Sequence, residues 1–431
     1  MSKIVYRIST LLNQTLVDVP VGTNLGLFHL FFALLSGRFL RSRGALFPAL
    51  WDLGLTAPAV RRSVAAVCYG HFHIAALLLC WQRVIVAEGR FAAHVYEGYH
   101  PVSCDLTAFF RPHLKSCVGK HYTSQAERAL PAVTLGLVGA VGSVGPKRLL
   151  VPRLILRQEA GDLTEAYLQR RLLEQAGLSL AGDEVLVIDA GFCIAGLVEA
   201  KVSRFVVRGA QNFTARRNFL APYPGKGRHA EYGEKVRPLA RHYKKKRLPA
   251  TPPDAITDWK EGRHTIVAHV FNNLVLADQK PGAFPFSCVV IYDPRYKDPL
   301  VLLTNLAITA YAIWCLYRDR WPVEQLPLAA KQMLGTQRCF VFGKESRHRL
   351  PELAILAGNI LSYVAATVAP VASGFWDRAA KPTCGRLRRV LSELHFSDLP
   401  VPEGKLREKA SVTAHLPKGV TAHRRQKAAP I

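Results

Sequence analysis

The sequence predicts a mixed α/β protein: an α/β core interrupted by a β-rich insertion, with a helical N-terminal domain and a helical C-terminal region. Three observations predict it. Residues 1–95 carry helical periodicity with turn residues between the apolar runs. Short buried-strand patterns such as "EVLVIDAG" alternate with the helical pattern "LTEAYLQRRLLEQAG" between 96 and 211. Residues 212–299 then turn polar and Gly/Pro-bearing before three strand-like runs appear. With 431 residues, 49% of them hydrophobic, the chain can bury real cores, which excludes global disorder.

In chain order, Thr23 is placed to cap a helix reaching Ser36. "GALFPALWDL", a turn at Gly54 and "TAPAVRRSVAAVC" make two short helices of helix-turn-helix size. Arg61 and Arg62 fall on the second of these; a plain helical bundle with two solvated arginines is favoured over a DNA-reading helix, because this spacing is common. "PVSCDLTAFF" is a strand carrying Asp105. "AVTLGLVGAV" and "RLLVPRLIL" are apolar strands joined by a turn, and Gly177 ends the helix after them. "EVLVIDAG" and "RFVVRG" complete this half of the core. Within the insertion, "KVRPLARHYKKKR" is a basic loop, and "HTIVAHVF", "NNLVLADQ" and "FSCVVIYDP" are strands. The core resumes over 300–370: "VLLTN" is a strand in which Thr304 and Asn305 suit a helix N-cap, and "PELAILAGNILSYVAATVAP" is a buried helix bounded by prolines. The region 371–401 contains "GRLRRVLSELHF", with Leu387, Val390, Leu391 and Leu394 on one stripe. Residues 402–431 hold seven Lys/Arg against two Glu and read as a flexible basic tail.

The charge balance narrows the partner. A net charge of +26, from 57 Lys+Arg against 31 Asp+Glu, creates a field that draws in polyanions through phosphate neutralisation; nucleic acid ranks first and an anionic membrane surface second. The nine cysteines are scattered and never spaced as CxxC, which argues against a disulfide framework or a structural zinc module and fits a reducing compartment. "MSKIVYRISTLLNQTL" lacks the pattern of a signal peptide, and no apolar run reaches about 18 clean residues, so buried core is expected rather than a membrane span.

In a chain this basic, acids at strand positions stand out. Asp189 ends the buried run "VLVI", at the carboxyl end of a strand where α/β sheets present groups to ligands, and Asp105 sits in the first strand of the same core. Either alone is an ordinary cap or turn former. A third acid, Glu324, lies in "YRDRWPVEQLPLAAK". On an unbroken helix Tyr317, Arg320, Glu324 and Lys331 fall within roughly one-sixth of a turn of one another. Pro322 suits a first helical position after a break at Trp321, whereas Pro327 predicts a kink. Three carboxylates from separate elements supply the hard oxygen ligands that a pair of divalent metals needs for in-line phosphoryl transfer.

These residues resemble the DDE transposases of bacterial insertion sequences, the cut-and-paste class with a Tyr-x2-Arg-x3-Glu-x6-Lys signature. The signature is matched by Tyr317, Arg320, Glu324 and Lys331, with "RW" before the glutamate and "KQMLG" around the lysine. "CDLTAFF", "VIDAGF" and "RFVVRG" match the two aspartate strands and the strand that follows them, over about residues 100–370. The resemblance implies a ribonuclease H-like core, with Asp105, Asp189 and Glu324 as catalytic metal ligands. It implies two Mg²⁺, for which Mn²⁺ substitutes, and nicking and strand transfer at the ends of an insertion sequence. Double-stranded DNA (terminal inverted repeats and target) would be the substrate, a synaptic homodimer the working form, and the bacterial cytoplasm, at the nucleoid, the location. Tyr317, Arg320, Trp321, Lys331 and Arg208 would contact DNA. Two departures are Pro327, in place of a large residue, and Leu300, where a base-stacking tryptophan precedes the "LLT" strand in a related enzyme.

Weaker patterns complete the reading. Lys244, Lys245, Lys246 and Arg247, near Tyr243 and Trp259, are candidates for phosphate contacts. His71 and His73 are expected to pack ordinarily within a helix. The alternative to catalysis is a transposase-derived DNA-binding protein that has lost its activity.

Overall fold

The computed structural model describes residues 2–114, 119–159, 164–223, 225–244, 246–372, 374–400, 402 and 406. Helices α1 (Ser2–Thr15), α2 (Thr23–Leu35), α3 (Arg38–Arg41), α4 (Leu46–Asp52), α5 (Ala57–Tyr69) and α6 (Ile74–Glu88) open the chain. Strands β1 (Phe91–Ala93), β2 (His100–Phe110), β3 (Gly119–Thr123), β4 (Arg128–Val144) and β5 (Lys147–Arg157) follow. After them come α7 (Glu165–Ser179), β6 (Glu184–Ile188), α8 (Ile194–Glu199) and β7 (Phe205–Arg208). The insertion holds β8 (Ala215–Arg217), β9 (Lys235–Val236), β10 (Arg241–Tyr243), β11 (Lys246–Leu248), β12 (Ala255–Glu261), β13 (His264–Leu276) and β14 (Phe286–Tyr292). β15 (Leu300–Thr304) leads to α9 (Ala310–Arg318), α10 (Pro322–Leu328), a π-helical turn (Ala329–Met333), α11 (Ser346–Thr367) and α12 (Cys384–Leu391). The protein is thus mixed α/β. It divides into two compact units, one made of residues 1–93, 106–168 and 322–431, the other of 94–105 and 169–321.

In the first unit the N-terminal helices do not form the separate domain that the sequence suggested. Helix α2 is buried nearly all round, from Gly26 to Leu35, and such a helix needs cover on every side. The long hairpin β4–β5 and helix α11 share its core: Phe28, Phe31 and Phe32 belong to the same cluster as Leu137, Leu149 and Leu353. Asn359 ties these elements together, accepting from Trp81 Nε1 at 2.7 Å and donating to the Leu150 carbonyl at 2.6 Å. β4 pairs antiparallel with β1, β3 and β5, and the β4–β5 turn is tight because Gly145 takes φ 56°. The helix-turn-helix-sized pair appears as α4 and α5 with Gly54 at φ 81° between them, and Arg61 and Arg62 are exposed.

Four local expectations for this unit are corrected. His71 and His73 lie in the loop between α5 and α6 with exposed side chains, not packed within a helix. Helix α11 begins at Ser346, so Pro351 is inside it, one turn in, rather than at its boundary. Helix α12 stops at Leu391, a turn short of Leu394, although Leu387, Leu391 and Leu394 are all buried as the stripe requires. Thr23 is the first helical residue and Gly22 the cap, with the Asn24 side chain accepting from the Gly22 and Leu25 amides. Among the described residues α11 is the one helix long and apolar enough to cross a membrane, and 89% of its apolar window is buried inside the protein. The basic tail lies almost wholly outside the described residues.

In the second unit the start of β2 pairs parallel with β6, and β6 pairs parallel with β7. β6 is buried at all five positions, as a central parallel strand must be. The insertion does not leave the sheet: β15 adds antiparallel to β7, β14 to β15, β13 to β14, and β12 and β8 to β13. Its long apolar strands therefore widen the core sheet rather than build a module of their own. Thr304 and Asn305 do not cap α9 as expected. Asn305 accepts from Phe205 N at 3.1 Å and donates to the Ser203 carbonyl at 2.7 Å, and Thr309 is the cap, accepting from Ala312 N at 3.2 Å.

Candidate active site

The register of the parallel pair β2–β6 runs His100 with Glu184, Pro101 with Val185, Val102 with Leu186 and Ser103 with Val187. Asp105 lies in β2 two residues past the last paired position Ser103, and Asp189 directly follows the end of β6, two residues past Val187. Side chains alternate faces along a strand, so Asp105 shares a face of β2 with Ser103. Both acids are half-buried. An acid of β2 and the acid that follows β6 thus belong to one unit, on or at the end of neighbouring parallel strands.

Asp189 is held from several directions. Tyr317 Oη donates to Asp189 Oδ1 at 2.9 Å, Arg320 Nη1 stands 3.8 Å from Oδ2, and Arg208 Nη1 3.6 Å from Oδ1. Burial raises the Asp189 pKa, but the Ala190 amide, Arg320, Tyr317 and Arg208 outweigh it, and the carboxyl is held below the usual carboxylate range. Burial, together with the Asp189 charge, pushes the Tyr317 hydroxyl up to about 12, so it keeps its proton and acts as a donor.

Helix α9 delivers Tyr317 because its other face is anchored. Trp314 packs against Trp259 of β12 at 5.4 Å between ring centroids, Arg318 lies 4.5 Å over the Trp314 ring, and Arg318 Nη1 donates to Glu261 at 2.5 Å. The chain then turns. Asp319 is wholly buried, accepts from Tyr96 Oη at 2.9 Å and pairs with His94 Nδ1 at 2.6 Å. Ser103 Oγ donates to the Arg320 carbonyl at 3.1 Å. These contacts hold the turn that aims Arg320 at Asp189. Sequence reasoning missed Asp319, His94, Tyr96 and Ser103. The available signal was an acid between Tyr317 and Arg320, at the end of a helix whose preceding residues are apolar.

The one continuous helix from Tyr317 to Lys331 is not formed. Helix α9 ends at Arg318, α10 starts at Pro322, and Trp321 between them is 54% exposed. Pro327, which cannot donate a backbone hydrogen bond, is followed not by a simple kink but by the π-helical turn over Ala329–Met333. Lys331 sits in this turn. In the first unit its Nζ donates to Thr107 Oγ1 at 2.7 Å and lies 5.1 Å from the Phe109 ring centroid, so it meets β2 on the face that carries Thr107 and Phe109. Glu324 is half-buried in the first turn of α10, between the buried Val323 and Leu326.

Asp105 and Asp189 have the hard-oxygen chemistry that Mg²⁺ takes. Among the described residues no group of three or more His, Cys, Asp or Glu side chains stands assembled to hold a metal ion; the charge of Asp189 is balanced by arginines and the tyrosine. In the insertion, Lys244 takes φ 43° at the tip of the β10–β11 hairpin, and Lys244, Lys246 and Arg247 are exposed, while Lys245 lies outside the described residues. Arg208 is exposed at the end of β7. No protein-family model matches the chain, and no curated protein matches it.

Proposed function

We propose that this chain is a DNA transposase of the DDE type, which nicks DNA at the ends of an insertion sequence and transfers the freed strand to a target. The observation that carries the reading is that Tyr317 and Arg320 of the signature gather on Asp189, at the end of β6, whose parallel neighbour β2 carries Asp105. A ribonuclease H-like core is the finer fold this arrangement supports. Glu324 is the third acid in this reading, because it is the glutamate of the signature that Tyr317, Arg320 and Lys331 complete.

Two Mg²⁺, held by Asp105, Asp189 and Glu324, would supply Lewis-acid activation of the attacking oxygen and stabilisation of the leaving one. The chain's own groups do the rest. Arg208 and Arg320 fix the Asp189 carboxylate and turn guanidinium N–H groups toward a phosphate. Tyr317, protonated, positions by donating a hydrogen bond and is not a nucleophile. Lys331 and Trp321 complete the contact with the strand. Double-stranded DNA is the partner, a homodimer the synaptic form, and the bacterial cytoplasm the site of action.

The test is Mg²⁺-dependent nicking of a supercoiled plasmid carrying the coding region with its flanking DNA. Nicks mapping to two inverted flanking repeats support the reading, and intact plasmid opposes it. The basic hairpin gives a separate expectation. Converting Lys244–Arg247 to glutamates weakens binding to all duplex sequences and flattens the plot of log affinity against log salt by about 0.9 for each phosphate no longer neutralised. An unchanged slope in fluorescence anisotropy makes this hairpin a solvated tip.

A further inference from the structure

The loop between α11 and α12 presents two aromatic rings to solvent in a chain that otherwise buries most of its large apolar groups. Phe375 is 94% exposed and Trp376 68%. Their rings meet edge to face, 5.1 Å apart at 80°. Gly374 leaves room for this: an added Cβ would come within 2.4 Å of the Trp376 ring, so the indole would have to shift if a side chain stood there.

The base of the loop is built, not loose. Arg386 Nη2 pairs with Asp377 Oδ2 at 2.7 Å, with both side chains largely covered. The Asp377 amide donates to the Gly374 carbonyl at 3.0 Å, and Arg386 Nη1 to the Lys381 carbonyl at 3.3 Å. Asp377, the sole acid from 374 to 389, is therefore paired, while Arg378 and Lys381 are exposed in the same loop and Arg389 is exposed on α12. Two exposed rings on a fixed base, with exposed cations in the same loop, complement a polyanion that also offers flat apolar faces.

We propose that Phe375 and Trp376 form a wedge that stacks on an accessible base of DNA while Arg378 and Lys381 hold the flanking phosphates. Stacking of this kind tolerates any sequence and requires a base freed at a nick, a gap or an opened step. The proposal rests on the reading that this chain binds DNA and not on its catalysis. It names a surface outside the signature motif.

The experiment uses the full chain in fluorescence anisotropy, at two or more salt concentrations, on a labelled duplex and on the same duplex with a one-nucleotide gap. Phe375→Ala/Trp376→Ala is expected to lose at least about tenfold in affinity for the gapped duplex, less for the intact one, with an unchanged salt slope. Phe375→Leu/Trp376→Leu, which keeps apolar volume without flat rings, is expected to behave like the alanine pair. Arg378→Ala is expected to weaken both duplexes and lower the salt slope by about one. Wild-type affinity for gapped DNA in both double variants overturns the wedge. So does a shift in sedimentation without a DNA defect, which makes the rings a contact between copies of the chain. If the unaltered protein binds neither duplex, the proposed function fails and the wedge with it, an outcome told apart because the defect is then present before any substitution.

Discussion

On the proposed function, Asp189→Asn is expected to abolish strand nicking, by at least about 1,000-fold, or roughly 4 kcal/mol of transition-state stabilisation, while leaving the fold intact. The amide keeps the size of the carboxyl and still accepts from Tyr317, so the end of β6 stays in place. What disappears is the charge that Arg208 and Arg320 balance and that a divalent cation needs. Asp105→Asn is expected to behave alike, because Asp105 is the other acid of the proposed metal site and lies on β2, the parallel neighbour of β6. Tyr317→Phe is milder, about tenfold, since one donor to the carboxylate is removed and the charge remains. The measurement is the rate of Mg²⁺-dependent plasmid nicking, with thermal melting as the control for folding. Near-normal nicking by the Asp189 variant removes it from the site.

The largest effect on stability is expected at Glu352. This carboxylate is fully buried on α11, and Arg157 at the end of β5 grips it in a two-pronged pair, Nη2 to Oε2 at 2.7 Å and Nε to Oε1. Burial pushes the Glu352 carboxyl up against the opposing pull of Arg157. Glu352→Ala leaves the guanidinium facing a cavity in place of its partner. Breaking a buried pair costs about 3–5 kcal/mol, but Arg157 retains Glu345 at 3.1 Å and is partly exposed, so the lower end, about 3 kcal/mol, is expected. Urea unfolding monitored by circular dichroism reads this as a lower midpoint. Arg157→Leu/Glu352→Leu should recover most of the stability, because removing both charges leaves neither one stranded. A single variant as stable as the parent shows that the pair carries no net stabilisation.

Much of the candidate site was legible because short-range chemistry wrote it. "VLVI" before Asp189 is too apolar for anything but a buried strand, and a buried strand ending in an acid and a glycine presents that acid at its carboxyl end. The signature spacing made Tyr317 and Arg320 candidates, and both reach Asp189. What escaped was decided by tertiary contact. The insertion's strands alternate like any half-buried hairpin, and nothing in their sequence says that they extend the core sheet through β15 and β7. The N-terminal helices read as a domain because their helical pattern is continuous, yet α2 is apolar on every side and is covered by α5 and by the distant α11, while α6 packs on β5. Pro327 signalled a disturbance, but whether a proline yields a kink or a π-helical turn depends on the packing around it. Gly358 of α11 is one such constraint, since an added Cβ there would lie 3.1 Å from Ala329 and Ala330. Asp319 was hidden because its partners His94 and Tyr96 lie more than 200 residues earlier.

The proposed function makes Glu324 the third acid of a metal-dependent site, and Glu324→Gln tests that proposal most directly. Gel-shift affinity and strand cleavage are measured on the same element-end duplex, at fixed salt, in Mg²⁺. The predicted result is a separation: cleavage is abolished while end binding survives or tightens slightly, because the substitution removes a negative charge that repels phosphate but leaves the binding surface. Wild-type cleavage by the Gln variant would contradict it and take Glu324 out of the site, and an unaltered protein that binds its ends without cutting them would point to a DNA-binding protein without catalysis.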